Sequence, residues 1–401
     1  MFKKYSVNYP KLRIMEKILL ITDIFPPDIG GPASFIDLLA HALIKKGCKV
    51  TIICASPAPE NEDRNRPFVV RRISRFSATF RIRLLYVLFR EIIRHNRILI
   101  NGLERPASAV AALLNRPFIL KIVGDKVWET ARNASMTNLD VDSFQKEHPW
   151  LRNKMLRRLA LRRQRALERA TAVIVPSQYL RKMVLGWGVN ENRVLLIPNG
   201  VSLEQYSSYQ PRPRAYGEPL RLVFCGRLTN WKGIDTLLDA LCGMTGIQVD
   251  IIGDGPEEET LMALAKKLCL EAMVTFCGRL DGGATRARLF NAHVLILDSI
   301  YEGLSHTLIE ASAAGLACIA SACGGNPEII QDGKNGMLIP PSDAKALRAA
   351  ITALRDDETL RFRLAKEAKS EIQKFDFRNT VNRTMEVLAL KKDARHTPHQ
   401  S

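Results

Sequence analysis

Two cations stand close together after an apolar, strand-like run in the C-terminal half of the sequence. Arg227 and Lys232 belong to the segment CGRLTNWKG, which follows the run 220–225. The planar donor fork of Arg and the compact charge of Lys suit a diphosphate, and together they could neutralise a doubly charged leaving group without a metal ion. Two unrelated surface cations would give the same pattern.

Two glutamates follow a second strand-like run. Glu302 and Glu310 lie in the segment IYEGLSHTLIEA, where Ser305 is suited to cap a helix. Such a helix would place Glu310 about 7 Å along its axis, at about 1.5 Å per residue, so the two carboxylates could contact opposite ends of one ligand. Free backbone N–H groups of His306 and Thr307 would suit a phosphate between them. Glutamates at this spacing are also common by chance.

A glycine pair follows the first strand-like run, in the segment FPPDIGGP at residues 25–32. Gly30 and Gly31 would let the backbone approach a ligand closely. Pro32 suits the first turn of a helix, whose N-terminus could receive an anion. On its own the pattern fits a tight turn equally well.

Strand-like runs alternate with amphipathic, helix-length segments on both sides of a proline-rich stretch at 204–219. This rhythm predicts two α/β domains, each a Rossmann-like, doubly wound parallel sheet, that face each other across a cleft. The predicted divisions are an N-terminal extension (1–16), a first Rossmann-like domain (17–203), a linker (204–219), a second Rossmann-like domain (220–372), and a C-terminal helix that packs back on the first domain, with a polar tail (373–401). The predicted strands are 18–22, 50–54, 98–100, 118–123, 172–175, 194–197, 220–225, 248–252, 274–276, 293–297 and 317–320.

The charge is distributed unevenly along the 401 residues. Residues 1–200 hold 35 basic and 16 acidic side chains, whereas residues 201–401 hold 24 and 25. A basic half suggests a polyanionic partner, such as an anionic membrane surface or a phosphorylated substrate, although a solvated basic surface is the plain alternative. Basic motifs interleaved with aromatic residues are missing, so we do not expect nucleic acid as a partner. The Arg-rich segment 151–169 fits either a helix lying on anionic lipid or one packed on the core.

The composition narrows the class and location of the protein. The sequence has 46% hydrophobic and 25% charged residues, and this composition excludes a wholly disordered chain. The eight cysteines form no CxxC pair and are interpreted as thiols in a reducing cytosol. No run approaches the 18 or so apolar residues of a membrane span, so we expect a cytoplasmic protein whose membrane contact, if any, is peripheral.

Seven segments together resemble the retaining glycosyltransferases of family 4, also called group 1, whose two-domain architecture is known as GT-B. The resemblance spans nearly the whole chain from Lys17. It rests on FPPDIGG, VPSQYLRKMV, IPNGV, GRLTNWKG, IIGDGPEEETL, EGLSHTLIEASAAG and GGNPEIIQDGKNGMLIPPSD.

The resemblance implies a role for each candidate residue. Arg227 and Lys232 would bind the diphosphate of the donor, and Glu310 would accept hydrogen bonds from ribose hydroxyls. Glu302 would grip the transferred sugar. The nucleotide base usually rests near 254–256. Further donor contacts would come from Gly30, Gly31, Gly226, Gly303, Leu304, Ser305, His306 and Thr307.

One position departs from the family pattern. Members usually carry a His on the loop after the fifth N-terminal strand, and Gly124 stands there in this chain. Asp125 is therefore the candidate for orienting the sugar or the acceptor hydroxyl, with a structural helix cap as the alternative. The segment Asp140-Val-Asp142 looks like a metal-binding DxD motif but falls between helices, so no metal and no cofactor beyond the nucleotide sugar is predicted.

The implied reaction is transfer of a hexose-type sugar from a nucleotide diphosphate sugar to a hydroxyl, with retention of anomeric configuration. The resemblance assigns the acceptor to the basic N-terminal domain (17–203) and the nucleotide sugar to the C-terminal domain (220–372). The basic charge of the first domain favours a lipid-linked acceptor used in assembly of a cell-surface polysaccharide or lipopolysaccharide. The same donor chemistry on a soluble acceptor is the nearest alternative. Nucleotide-sugar epimerisation and nucleic-acid binding are more distant ones.

Overall fold

The computed structural model of the protein describes residues 16–28, 30–56, 58 and 63–389. Of the predicted N-terminal extension, only Glu16 falls within this range. The predicted polar tail, residues 390–401, lies outside the described residues. The predicted α/β fold class is confirmed, since two separate parallel sheets are each covered by helices.

The N-terminal sheet has seven parallel strands in the order β3-β2-β1-β4-β5-β6-β7. Its strands are β1 Lys17–Thr22, β2 Lys49–Cys54, β3 Val69–Arg72, β4 Arg97–Asn101, β5 Ile119–Lys121, β6 Ala172–Val175 and β7 Val194–Leu196. The helices are α1 Gly31–Lys45, α2 Phe80–Arg94, α3 Glu104–Leu113, α4 Lys126–Asn133, α5 Val141–Glu147, α6 Lys154–Arg169 and α7 Gln178–Gly186.

Both faces of this sheet are buried, which explains why its strands are nearly continuous apolar runs. Ile18 and Leu20 belong to one hydrophobic cluster, whereas Leu19 and Ile21 belong to another on the opposite face. This alternation is the two-residue period of a strand. The edge strand β3 was not predicted, because its sequence VVRR ends in two charged residues rather than continuing as an apolar run.

The C-terminal sheet has six parallel strands in the order β10-β9-β8-β11-β12-β13. Its strands are β8 Leu220–Cys225, β9 Ile247–Ile252, β10 Val274–Gly278, β11 Val294–Leu297, β12 Ala317–Ser321 and β13 Met337–Ile339. The helices are α8 Ile234–Leu241, α9 Glu258–Lys267, α10 Gly282–Asn291, α11 His306–Ala313, α12 Ala344–Asp356, α13 Glu358–Glu371 and α14 Phe377–Ala389. The three-residue strand β13 was also not predicted.

The order of strands reverses between β1 and β4 in the first sheet and between β8 and β11 in the second. At such a point the loops at the carboxyl ends of neighbouring strands lead to opposite sides of the sheet, and the space between them is where ligands bind in open α/β folds. The loops that carry the candidate residues leave β1, β5, β8 and β11. The topology therefore brings the sequence candidates to the two facing sheet edges.

The chain crosses between the domains twice, and the two crossings are hydrogen-bonded to each other. Val201 N donates to Phe375 O at 3.0 Å, and Phe377 N donates to Val201 O at 2.9 Å. Beyond this point α14 packs on the N-terminal domain, where the ring of Phe377 lies 6.2 Å from that of Phe35 in α1. The last described helix thus contributes to the core of the first domain.

The two domains touch along the cleft through backbone and aromatic contacts. A Cβ atom at Gly303 would lie 2.3 Å from the carbonyl oxygen of Val123, so no side chain fits there. Ser177 Oγ donates to Gly303 O at 2.6 Å, and Asp125 N donates to the Tyr301 hydroxyl at 3.0 Å. The indole of Trp128 packs edge-on against Tyr301 with centroids 5.1 Å apart. This is a closed arrangement of the two domains.

We predict that Gly303→Ala separates the domains without unfolding them, because the new methyl group would overlap the carbonyl oxygen of Val123. Small-angle X-ray scattering should report a larger radius of gyration than for the unsubstituted protein, while circular dichroism stays the same. Gly186→Ala is the matched control, since a Cβ there has no atom within 4 Å. An unchanged radius of gyration in Gly303→Ala would contradict the prediction.

Candidate functional site

Lys232 and Glu302, both predicted to contact the donor, lie together in the cleft. Lys232 Nζ donates to Glu302 Oε1 at 2.6 Å, and Ser299 Oγ donates to the same oxygen at 2.8 Å. Both charged side chains are largely shielded from solvent, with exposed fractions of 18% and 11%. The loops after β8 and β11 are therefore joined by an ion pair at the sheet edge.

The backbone fixes this pair in place. Ile300 N donates to Trp231 O at 2.9 Å, which ties the two loops together directly. At Gly233, which has φ +67, a Cβ atom would lie 1.9 Å from the carbonyl oxygen of Asp298. Glycine is thus required at the end of the loop that carries Lys232, both for its backbone conformation and for the close approach.

Arg227 lies on the same loop but is exposed. Among the described residues it has no hydrogen-bond or ion-pair partner. Behind it, Gly226 N donates to Ile252 O at 3.0 Å, and Leu228 N donates to Asp254 O at 2.8 Å. The segment 254–256, predicted to lie near the base, therefore borders the loop that carries both cations.

The helix α11 begins at His306, and Ser305 is its N-cap as the sequence predicts. Ser305 Oγ accepts a hydrogen bond from Leu308 N at 3.2 Å. The first amides of a helix have no acceptor within it, so those of His306 and Thr307 are available to an anion. The preceding residue, Leu304, is buried and accepts a hydrogen bond from Asn199 Nδ2 across the cleft.

The loop after β1 closes over this helix end. A Cβ atom at Gly31 would lie 2.6 Å from His306 Cδ2, so the glycine backbone rests on the imidazole ring. Burial, with a smaller effect from the nearby Lys121 cation, lowers the pKa of His306 to about 4. The ring is therefore neutral at pH 7. Gly30, the N-cap residue of α1, places this loop beside the ring.

Glu310 lies within the cleft and is only partly exposed. Burial raises the pKa of its carboxyl group to about 7, and the positive charge of Arg286 opposes that rise. No described residue donates a hydrogen bond to it. A shielded carboxylate without donors is suited to accept them from ligand hydroxyls, which would favour its charged form.

The carboxylate of Asp125 is buried and hydrogen-bonded to protein groups. Its side chain is completely buried and caps α4, with Oδ1 accepting from Val127 N at 3.0 Å. The same oxygen pairs with Arg163 Nη1 at 2.5 Å, and Oδ2 accepts from Gln145 Nε2 at 2.6 Å. The geometry favours the helix-cap alternative over the predicted contact with sugar or acceptor, because protein donors occupy both oxygens.

A carboxylate that the sequence analysis missed, that of Glu129, faces the cleft instead. A Cβ atom at Gly124 would lie 2.5 Å from Glu129 Oε1, so this oxygen fills the space of a side chain at 124. Burial, reinforced by the negative charge of Asp125, raises the pKa of Glu129 to about 7. The sequence does place Glu129 one helical turn after Asp125, and this spacing could have indicated that the two carboxylates lie near each other. This group can accept a hydrogen bond from a hydroxyl bound on the N-terminal side.

The pair Asp140 and Asp142 is engaged in holding α5 rather than placed for metal binding. Asp140 Oδ1 caps the helix by accepting from Asp142 N and Ser143 N, both at 2.9 Å. Asp142 Oδ1 accepts from the Tyr179 hydroxyl at 3.0 Å. Within residues 16–389, as far as the structure describes them, no three His, Cys, Asp or Glu side chains gather in a way that could hold a metal ion.

Solved structures with the same arrangement are those of two-domain glycosyltransferases. Alr3699/HepE from Anabaena, in a crystal structure with UDP and glucose, superimposes with a TM-score of 0.76 at 18% identity, covering 93% of this chain and 99% of that one. Sucrose-phosphate synthase from Thermosynechococcus elongatus gives a TM-score of 0.76 at 22% identity, with coverages of 93% and 98%. The fold is thus GT-B.

Two family models match successive parts of the sequence. Residues 29–205 match Glycosyltransferase Family 4, and residues 207–371 match Glycosyl transferases group 1. The chain belongs to this family of glycosyltransferases, and the resemblance noted in the sequence is confirmed.

Two curated relatives at 30% identity match over about half of the chain. The glycogen synthase of Mycobacterium tuberculosis is 30% identical over 208 residues, which cover 50% of each chain. Sulfoquinovosyl transferase SQD2 of Arabidopsis thaliana is 30% identical over 223 residues, covering 52% of this chain and 42% of the relative. The matched part spans about half the length of these relatives.

We predict that Glu310→Gln removes a pH dependence from nucleotide binding. The ionised fraction of a group with a pKa of about 7 rises from about one tenth at pH 6 to about nine tenths at pH 8, and the ionised carboxylate is the better acceptor for hydroxyls. The affinity for UDP and for GDP is measured by calorimetric titration at each pH for the unsubstituted protein and for the variant. The ratio of the two affinities should rise about tenfold between about pH 6 and pH 8. Because the nucleotide titrates equally in both samples, parallel affinity curves would contradict the prediction.

Proposed function

We propose that the protein transfers a sugar from a nucleotide diphosphate sugar to a hydroxyl group, with retention of configuration and without a metal ion. The observation that carries this proposal is the ion pair of Lys232 and Glu302, which lies beside the N-terminus of α11 in the closed cleft. Arg227 is exposed on the same loop as Lys232. These groups form one binding surface for a sugar attached to a diphosphate.

The charges suit the departure of the diphosphate. When the bond between the anomeric carbon and the phosphate oxygen breaks, negative charge grows on that oxygen, and Lys232 and the free amides of α11 can stabilise it. On binding, Lys232 would exchange part of its contact with Glu302 for the phosphate, which leaves Glu302 to accept hydrogen bonds from sugar hydroxyls. Fixed cations and helix amides then supply the stabilisation that a divalent ion supplies elsewhere.

The proton of the acceptor hydroxyl must also be received. On the proposed front-face route the departing phosphate oxygen takes that proton from the acceptor, while the new glycosidic bond forms on the side from which the diphosphate leaves. No strong side-chain base is required. His306, neutral at pH 7, would contribute hydrogen bonding rather than charge to this step.

We predict that Lys232→Ala and Arg227→Ala each lower turnover by on the order of 10²-fold, since removing one donor to a developing oxyanion commonly has an effect of that size. The donor is first chosen by screening UDP and GDP sugars for thermal stabilisation, and turnover is then followed by release of the nucleotide. Lys267→Ala, an exposed cation on α9, is the control. Addition of EDTA should leave turnover unchanged, and NMR of the product should show the anomeric configuration of the donor. Near-normal turnover in both variants would overturn the assignment.

We further propose that the acceptor is lipid-linked and that the protein contacts anionic membrane through α2. Five apolar side chains on one face of this helix are 45–75% exposed, namely Ile82, Leu85, Tyr86, Phe89 and Ile93. Their spacing of three and four residues forms a continuous stripe. The opposite face buries Leu84, Leu88 and Ile92 in the core, so α2 is apolar on both sides.

The charge around this stripe supports a lipid partner. Arginines at 81, 83, 90 and 94 belong to the same helix. A helix with an exposed apolar face and flanking cations is suited to lie in the interface of an anionic bilayer. By contrast α6, for which the sequence left lipid contact open, packs Leu156 and Leu167 in the core. In the part of the chain that the structure describes, no helix is both long and apolar enough to span a membrane.

We predict that the protein floats with vesicles made of equal parts phosphatidylcholine and phosphatidylglycerol, and less with phosphatidylcholine alone. The double variant Ile82→Gln, Tyr86→Gln should lose most of the bound fraction, because two exposed apolar side chains no longer enter the bilayer. Met262→Gln, which changes a half-exposed apolar residue of α9, is the control. Failure to float with the anionic vesicles would count against the membrane contact and favour a soluble acceptor, whereas equal flotation with both mixtures would contradict the contribution of the arginines.

A further inference from the structure

A second cavity lies within the N-terminal domain, away from the loops that form the donor site. It encloses about 760 Å³ between α5, α6, α7 and the short turn Pro149–Leu151. None of its lining residues belongs to the loops after β1, β8 or β11. The volume lies within the range of about 300–1,000 Å³ that is usual for small-molecule sites.

The rim of this cavity is positively charged. Lys146, Arg157 and Lys182 line it, are exposed, and have no hydrogen-bond or ion-pair partner for their side chains among the described residues. The lining includes one carboxylate, Asp142, which accepts a hydrogen bond from the Tyr179 hydroxyl. Three cations around one opening, none paired with a described residue, favour an anionic ligand.

The interior is aromatic and apolar. Trp150 and Met183 are buried in its wall, and Trp187, which also lines the cavity, is only partly buried. Trp187 is held on two sides, since its Nε1 donates to Gln145 Oε1 at 2.8 Å and the Arg163 guanidinium stacks 3.7 Å from its ring centroid. Flat, fixed ring faces favour contact with a hydrocarbon chain or the apolar face of a sugar.

We propose that this cavity binds an amphipathic anion, in which a phosphate group is attached to an apolar body. The phosphate pairs with Arg157 and Lys182 at the rim, and the body lies against Trp150 and Trp187. This binding site is separate from the donor site, and it does not rest on the transfer reaction proposed above.

The wall of the cavity is also part of the cleft. Arg163 and Gln145, which hold Trp187, are the residues that donate to Asp125. Asp125 in turn caps α4, and its backbone N–H donates to the Tyr301 hydroxyl of the other domain. On the far side Tyr179 N donates to Glu328 of the C-terminal domain at 2.9 Å. A ligand in the cavity therefore contacts the groups that position the acceptor side of the cleft.

Tryptophan fluorescence tests the proposal, because two of the four tryptophans line the cavity. The probe is geranyl diphosphate, compared with geraniol and with inorganic pyrophosphate. We expect a saturable change with geranyl diphosphate and affinities at least about tenfold weaker for the other two, each of which lacks half of the contacts. Trp187→Phe should remove most of the signal while binding persists by calorimetry.

Substitutions separate this cavity from the donor site. The double variant Arg157→Ala, Lys182→Ala should weaken binding of geranyl diphosphate by about tenfold or more. Lys232→Ala should leave it unchanged, as should the control Lys267→Ala. Geraniol or pyrophosphate binding as tightly as geranyl diphosphate would overturn the amphipathic assignment. A loss of binding in Lys232→Ala alone would place the probe in the donor site and overturn the proposal, whatever the outcome for transferase activity.

Discussion

The structure depends on a close backbone contact between two domains that have separate cores. At Gly303 the main chain of the C-terminal domain lies against the carbonyl oxygen of Val123, and at Gly31 the N-terminal main chain lies against the ring of His306. The first contact leaves no room for a Cβ atom, and at the second a Cβ atom would fit only if the imidazole ring shifted. Because these contacts flank the ends of β1, β5 and β11, they bring loops that are more than a hundred residues apart into one site.

Within that space, charge is arranged so that a ligand can replace protein partners. Lys232 and Glu302 satisfy each other, whereas Glu310 and Glu129 are shielded carboxyl groups to which no described residue donates a hydrogen bond. A shielded carboxyl group gains stability when donors reach it. A ligand that carries both hydroxyl groups and a diphosphate provides partners for all four side chains, which agrees with the family to which the chain belongs.

The sequence predicts the architecture well and the site in part, for reasons that differ between residues. The strands buried on both faces, such as β1 and β8, are visible as apolar runs, and the cap at Ser305 follows from local chemistry. The edge strand β3 and the outward stripe of α2 depend on what lies next to them in three dimensions. Periodicity cannot tell whether an apolar side chain faces the core or solvent.

Asp125 and Glu129 illustrate the same limit within the site. Both are acidic residues close to Gly124, which stands where the family usually has a histidine. From the sequence alone we favoured Asp125, because it is adjacent to Gly124. Whether a carboxylate is satisfied depends on partners such as Arg163 and Gln145, which lie 38 and 20 residues away. The cavity between α5, α6 and α7 is likewise formed by segments without a recognisable motif.

The position of α14 has a consequence for how the chain is made. Phe377, Val381, Val387 and Leu388 belong to the hydrophobic cluster that also contains Ile18 and Leu20 of β1. During synthesis on the ribosome, the first domain emerges before this helix has been translated, so part of its core lacks a cover until residues 377–389 have left the exit tunnel. Completion of the first domain's core therefore depends on a segment that follows the whole second domain.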